Sequence, residues 1–149
     1  MPYECRQADF LISTDPARLD PEAVHAFLTR TYWAAGVAPE VVARSLRHSL
    51  CFGLYHQDRQ IGLARLITDY ATFGYLADVY VLEPWRGRGL GQWLVGCLVR
   101  HPEVRRLRSV RLATRDAHGL YRRFGFTPLE HPDHHLEWRP PPHRPPPEG

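Results

Sequence analysis

The chain has 149 residues, 44% of them hydrophobic, and a formal net charge of +3. A chain of that length holds one domain with a sizeable core, and none of its apolar runs approaches the ~18 residues of a membrane span. Its three cysteines, Cys5, Cys51 and Cys97, are far apart and form no Cys-x-x-Cys, which argues against a disulfide framework or a zinc site.

The N-terminal stretch lacks the basic and apolar regions of a secretion leader, so the expected location is cytoplasmic. Glu4 to Ser13 reads as a strand centred on Phe10, Leu11 and Ile12. Asp20-Pro21-Glu22 is a helix start, with a capping acid, a proline in the first turn and a second acid. Val24, Phe27, Leu28, Thr31, Tyr32 and Ala35 mark the buried face of that helix, and Gly36 ends it. Pro39-Glu40 opens a second helix running to about His48. Leu50 to His56 is a predicted strand, and Gln57 to Gln60 a turn. Ile61 to Asp69 is the next strand, with a bulge expected at Gly62. Thr72-Phe73-Gly74 leads into a central strand, Tyr75 to Leu82, rich in β-branched and aromatic residues. The helix after it carries Leu90, Trp93, Leu94, Cys97, Leu98 and His101 on one face and closes at Pro102. Ser109 to Thr114 is a strand, and Asp116 to Phe124 a short helix with Asp116 as its N-cap and Gly125 as its C-cap. Phe126 to Leu129 and His135 to Trp138 suit a terminal hairpin. The last ten residues, Pro140 to Gly149, contain six prolines and read as a disordered tail, leaving 1–139 as the folded domain.

Between the central strand and its helix lies Arg86-Gly87-Arg88-Gly89-Leu90-Gly91. Alternate glycines let the backbone turn tightly and bring bare amides close to a ligand. Amides converging at a helix N-terminus, flanked by two arginines, suit a phosphate. All nineteen basic residues are arginine, so the phosphate loop ending in Gly-Lys-Ser/Thr is excluded. Gln92 stands where a dinucleotide fold requires its third glycine. Arg86 to Arg123 holds ten arginines against Glu103 and Asp116. A small polyanion, a nucleic acid or plain solvent fits that charge, but no base-reading or stacking element accompanies the arginines, so nucleic acid is not expected.

Asp78 is a carboxylate inside an apolar strand, a position that calls for a purpose or a partner. It is either a general base or the partner of an arginine such as Arg65 on the neighbouring strand. Glu83, Asp69 and Tyr80 are weaker candidates for the base. Tyr32 and Trp33 either line an acceptor pocket or pack in the core. His131-Pro132-Asp133-His134-His135 is cramped by its proline, and no metal is expected there.

The spacing Arg86-x-x-Gly89-x-Gly91 after Val79-Tyr80-Val81 resembles the acyl-CoA-binding motif of the GNAT N-acetyltransferases. Asp116-x-x-x-x-Tyr121-x-x-x-Gly125-Phe126 resembles that family's second signature, and the order of elements up to about Trp138 resembles its fold. The resemblance implies an α/β fold of the α+β type, a mixed and mostly antiparallel sheet splayed between two strands with helices on both faces. It implies acetyl-CoA as co-substrate and no metal. Residues Arg86, Gly87, Arg88, Gly89, Leu90 and Gly91 would hold the pyrophosphate, and the backbone at Val79 and Val81 the pantetheine arm. Asp116 stands where the family often has an asparagine on the pantetheine, and a carboxylate there only accepts. Tyr121 matches the family's general acid, and Asp78 is the base expected from its place in the strand. The implied activity is acetyl transfer to a primary amine of a small molecule or peptide, by direct attack in a ternary complex. The alternative is a non-catalytic acyl-CoA-binding sensor of the same fold. The expected partners are acetyl-CoA and an amine, with neither nucleic acid nor a membrane, and a homodimer is left open.

Overall fold

A computed structural model of the chain describes residues 1–141. Six strands form one sheet in the order β1 (Glu4–Gln7), β2 (Phe10–Ser13), β3 (Leu50–His56), β4 (Arg59–Thr68), β5 (Phe73–Val81) and β6 (Ser109–Arg111). The first four pairings are antiparallel and β5 with β6 is parallel, which matches the mixed sheet expected. The helices are α1 (Pro21–Leu28), α2 (Pro39–Arg47), α3 (Leu90–Arg100), α4 (Pro102–Arg105) and α5 (His118–Arg122).

β4 runs through the middle, and its Ile61, Leu63, Ala64 and Leu66 are all fully buried. A near-continuous apolar run is what a strand covered on both faces requires. On one face Phe52, Leu54, Leu66 and Leu76 pack with Leu90, Leu94, Val95 and Leu98 of α3. On the other, Cys51, Leu63 and Tyr80 pack with Val24 and Leu28 of α1 and Val42 and Leu46 of α2. Asp20 caps α1 by accepting from the Ala23 amide at 3.1 Å, as its sequence dictates.

Two bulges bend the sheet. One falls in β4, where Leu54 pairs Gly62 and Tyr55 pairs Gln60, so Ile61 is the extra residue beside Gly62. The other falls in β5, where Leu63 pairs Tyr80 but Arg65 pairs Ala77. Asp78 lies in it with φ +54°, a left-handed conformation in mid-strand. β6 pairs β5 only from Phe73 to Tyr75 and then leaves, so the two strands open into a wedge.

Several expected boundaries move. The first strand is two, folded at Ala8-Asp9, where Ala8 takes φ +52°. α1 stops at Leu28 and does not run to Gly36, because the Thr31 hydroxyl turns back to the Leu28 carbonyl at 2.7 Å and takes the Ala34 amide at 3.2 Å. A short α4 follows Pro102, and β6 ends at Arg111, not Thr114. The terminal hairpin does not form among the described residues: 126–138 contains no strand, and Leu136 and Trp138 are 98% and 74% exposed. Pro128 and Pro132 each remove a ladder donor from that segment. The proline-rich tail lies outside the described residues from position 142 onward.

Gly62 sits against backbone: a Cβ there would meet the Tyr80 carbonyl oxygen at 2.7 Å and Leu54 at 3.0 Å. Gly62→Ala is therefore expected to destabilise the fold by about 1–3 kcal/mol in urea denaturation. Gly119→Ala on α5, where a Cβ meets nothing within 4 Å, is expected to stabilise it by about 0.4–1 kcal/mol.

Candidate active site

The wedge between β5 and β6 is a cavity of about 590 Å³. Leu76 to Val79 of β5 form one wall, and Leu112 to Ala117 with Tyr121 form the other. Tyr32 and Trp33 reach in from the α1–α2 connection. Asp78, Val79, Asp116 and Tyr121 are thus brought to one place, although 43 residues separate the first from the last.

Asp78 is tied on both oxygens. The Arg65 Nε donates to Oδ2 at 2.8 Å and the Trp33 indole N–H to Oδ1 at 2.8 Å. Arg65 and Asp78 side chains are only 14% and 9% exposed, so this is a largely desolvated ion pair. A second Arg65 nitrogen donates to the Ser49 hydroxyl at 3.1 Å, which itself donates to the Ser45 carbonyl at 2.7 Å. The chain of contacts anchors the β5 bulge to α2 and pulls Trp33 across the cavity. Beside Trp33, Tyr32 stacks under the Arg115 guanidinium at 3.8 Å. The α1–α2 connection therefore touches both walls. The helical face expected to run through Tyr32 and Ala35 ends with α1 at Leu28, and of the two alternatives for Tyr32 and Trp33 the structure has them lining the cavity.

Tyr121 is held by the end of α5. The Phe126 amide donates to the Tyr121 carbonyl at 3.2 Å and the Gly125 amide to that of Arg122 at 3.1 Å. Gly125 takes φ +90°, and the Phe126 ring meets the Tyr121 ring edge-on at 5.7 Å. These are the two bonds, the left-handed residue and the apolar contact of a Schellman-type cap. The Tyr-x-x-x-Gly-Phe spacing is thus the cap that fixes the tyrosine. Tyr121 is 8% exposed, and burial pushes its hydroxyl up to about 12. No group among the described residues hydrogen-bonds it. Asp116 does not cap α5: the Ala117 amide goes to the Thr114 hydroxyl at 3.0 Å, which leaves the Asp116 carboxylate exposed at the cavity.

The glycine-rich loop follows β5. Gly87 and Gly89 take φ +80° and +77°, and a Cβ on either would meet nothing within 4 Å. Glycine is required there by the backbone conformation, not by crowding. The amides of residues 87–92 donate to no backbone carbonyl, as the first turn of a helix dictates for its share. Amides left free at a helix N-terminus are available to an anion. Arg86 donates through Nε to the Val81 carbonyl at 2.8 Å, and Arg88 lies over the Trp85 ring at 5.0 Å. Arg123, which the sequence reading passed over, reaches Gln92 in the first turn of α3 at 2.9 Å and sets a further cation beside the loop.

The other candidates lie elsewhere. Asp69 closes its own loop on the amides of Ala71 and Thr72. Tyr80 is buried and stacked on Phe27 at 3.9 Å. Glu83 lines a different pocket, with Arg30, Arg59 and Arg86. His131, Asp133 and His134 bring ligand atoms within 4.8 Å of one another, but all three are exposed and none lines the wedge. Burial pushes the Cys51 thiol up to about 12 and Cys97 higher still, and no cysteine lines the wedge. Among the described residues no helix is long and apolar enough to cross a membrane.

A family model described as the acetyltransferase (GNAT) domain matches residues 47–128, more than half of the chain. A candidate acetyltransferase of Gibberella zeae is 37% identical over 117 residues, 65% of this chain and 66% of that protein, so the chain spans just under two thirds of that relative's length. A crystal structure of a candidate GNAT-family acetyltransferase from Xanthomonas campestris pv. campestris superposes with a TM-score of 0.85 at 45% identity, over 89% of this chain and 94% of that one. A candidate acetyltransferase from Clostridium acetobutylicum, solved with acetyl-CoA, shares the fold at a TM-score of 0.63 and 15% identity, over 87% of this chain and 94% of that one.

Removing Arg65 strands the Asp78 charge in a largely dry site. Arg65→Met is expected to cost about 3–5 kcal/mol of stability. Arg65→Met with Asp78→Asn should recover part of that loss, giving a coupling of about 1–3 kcal/mol in a double-mutant cycle. Strict additivity would show that the pair carries no linkage.

Proposed function

The chain belongs to the GNAT acetyltransferase family, and from that premise we propose that it moves an acetyl group from acetyl-CoA to a primary amine by direct attack in a ternary complex. The observation that carries the reading is the wedge. One cavity holds a desolvated carboxylate, a free tyrosine hydroxyl and a stretch of β5 whose β6 side has no strand neighbour, and a run of free amides follows in the loop after that strand.

The residues fit the co-substrate. The amides of 87–92 and the arginines at 86, 88 and 123 would take the pyrophosphate. The backbone at Val79 and Val81 would pair with the pantetheine amides, and a β5 amide would polarise the thioester carbonyl. Asp116 would accept a hydrogen bond from the arm. The amine nitrogen attacks the carbonyl carbon and the carbon–sulfur bond breaks; an alkylammonium gives up two protons on the way to the amide, one of which is made good on sulfur while the other leaves to solvent.

An alkylammonium near ~10.4 costs about 4–5 kcal/mol to deprotonate at pH 7. Asp78 is the acceptor for that proton, directly or through water, since each of its oxygens keeps a lone pair beyond those used by Arg65 and Trp33. Tyr121 is the donor to sulfur. With its hydroxyl at about 12 and a thiol near ~8.5, complete transfer alone would be uphill by roughly 3.5 units, about 5 kcal/mol. Tyr121 therefore acts as a hydrogen bond that tightens as sulfur gains charge, with its proton replaced as the amine releases one. Cys51 and Cys97 are buried with their thiols pushed up, and no cysteine lines the cavity, which favours direct transfer over an acyl-cysteine route.

Tyr121→Phe keeps the ring and the edge contact with Phe126. It is expected to lower kcat for amine-dependent CoA release by ~10²-fold, with acetyl-CoA binding and melting temperature little changed. Because burial holds the hydroxyl up near 12, the parent enzyme should show no loss of rate from tyrosine ionisation between pH 8 and 10, a range set by the ordinary tyrosine value of ~10. Parent-like turnover in the Phe variant would rule out Tyr121 as the donor, whereas a parent that binds acetyl-CoA but releases no CoA with any amine would be the non-catalytic acyl-CoA binder. Gly89→Asp, which adds bulk at φ +77° and a negative charge at the loop, should abolish the rise in melting temperature that acetyl-CoA gives the parent.

A further inference from the structure

A second pocket, of about 370 Å³, opens on the α1 face of the sheet beside the glycine-rich loop. Its polar lining is Arg30 from the end of α1, Arg59 from the start of β4, Arg86 from the loop itself, Glu83 and Thr31. None of the three arginines makes an ion pair among the described residues, so with Glu83 the pocket carries a net charge of +2.

Two of the guanidinium groups are already aimed. Arg30 donates through Nε to the Ala26 carbonyl at 3.0 Å and lies over the Phe27 ring at 5.9 Å. Arg86 donates through Nε to the Val81 carbonyl at 2.8 Å. In each case the terminal nitrogens are left unused, and that edge of the fork matches two oxygens of a phosphate. Arg59, the first residue of β4, has no side-chain hydrogen bond among the described residues. Positive charge held in place by backbone carbonyls, and in excess of the one carboxylate in the pocket, suits an anion subsite.

We infer that this pocket binds a phosphate monoester dianion, and that the source is the 3′-phosphate of the CoA ribose. Arg86 belongs to both the loop and the pocket, so a CoA held at the loop would adjoin the pocket's cations. The inference rests on the acetyl-CoA reading above and adds a specificity to it: Arg30 and Arg59 distinguish CoA from its dephospho form.

The test measures dissociation constants for acetyl-CoA and acetyl-dephospho-CoA with the full chain, for the parent, for Arg59→Gln and for Arg30→Gln/Arg59→Gln. The single variant removes a side chain that makes no hydrogen bond, so it keeps the test valid should the double variant fold poorly. The parent is expected to bind acetyl-CoA about tenfold or more tightly than the dephospho form. The single variant should narrow the gap and the double variant close it, through weaker binding of acetyl-CoA alone. Equal binding of the two thioesters by the parent, or a gap that survives in both variants, overturns the subsite and leaves the acetyltransferase reading standing. A parent that binds neither thioester overturns both. If inorganic phosphate raises the melting temperature of the parent but not of the variants while the two thioesters bind alike, the pocket takes its phosphate from another source, which overturns the assignment to the CoA ribose phosphate and leaves the acetyltransferase reading standing.

Discussion

β5 outruns its only parallel neighbour by six residues, Leu76 to Val81, while β6 turns away after Arg111. An open sheet edge inside a fold is costly, because backbone amides and carbonyls there must find water or a ligand. The other features of the site are consequences of keeping that edge open and in shape. The bulge at Asp78 bends the strand where the wedge begins to part. The α1–α2 connection spans it through Trp33 on one side and Tyr32 with Arg115 on the other. The cap at Gly125 sets Tyr121 against the far wall.

Keeping this arrangement asks for local sacrifice. A non-glycine residue at φ +54° costs of the order of 1–3 kcal/mol, and it persists where the surroundings determine the conformation more than once. Asp78 meets that condition, with one oxygen on Arg65 and the other on Trp33. The same contacts hold a negative charge at the cavity without leaving it unpartnered. Structure and chemistry share one side chain, which is why truncating it would disturb both.

Much of this was legible in the residues. The glycine-rich loop, the Asp20 cap and the Tyr-x-x-x-Gly-Phe cap are local devices, written within a few positions of the side chains they serve. The strand Tyr75 to Val81 announced itself by composition, and Arg65 was in view as a partner for Asp78 because adjacent strands bring them together. The readings that failed depended on distant contacts or on competition between nearby groups. Thr31 to Ala35 fits a helical face by spacing, but the Thr31 hydroxyl breaks the ladder and the Trp33 indole is drawn to a carboxylate 45 residues away. Asp116 looked like the cap of α5, yet the helix starts one residue later, with Ala117 at its N-cap and no side chain capping it. Arg123 read as one more surface cation, because nothing local shows that it reaches Gln92, 31 residues earlier. Leu136 and Trp138 alternate like a strand but have no strand that pairs with them among the described residues.

The central claim is that the open edge of β5 and the loop that follows it form one continuous binding surface for acetyl-CoA. Amide hydrogen exchange, measured with and without saturating acetyl-CoA, tests it residue by residue. The account predicts that protection rises together at residues 79–81 and at 87–92, with the β1–β2 hairpin unchanged. Binding that protects neither stretch, or only a surface outside the wedge and the loop, would contradict it.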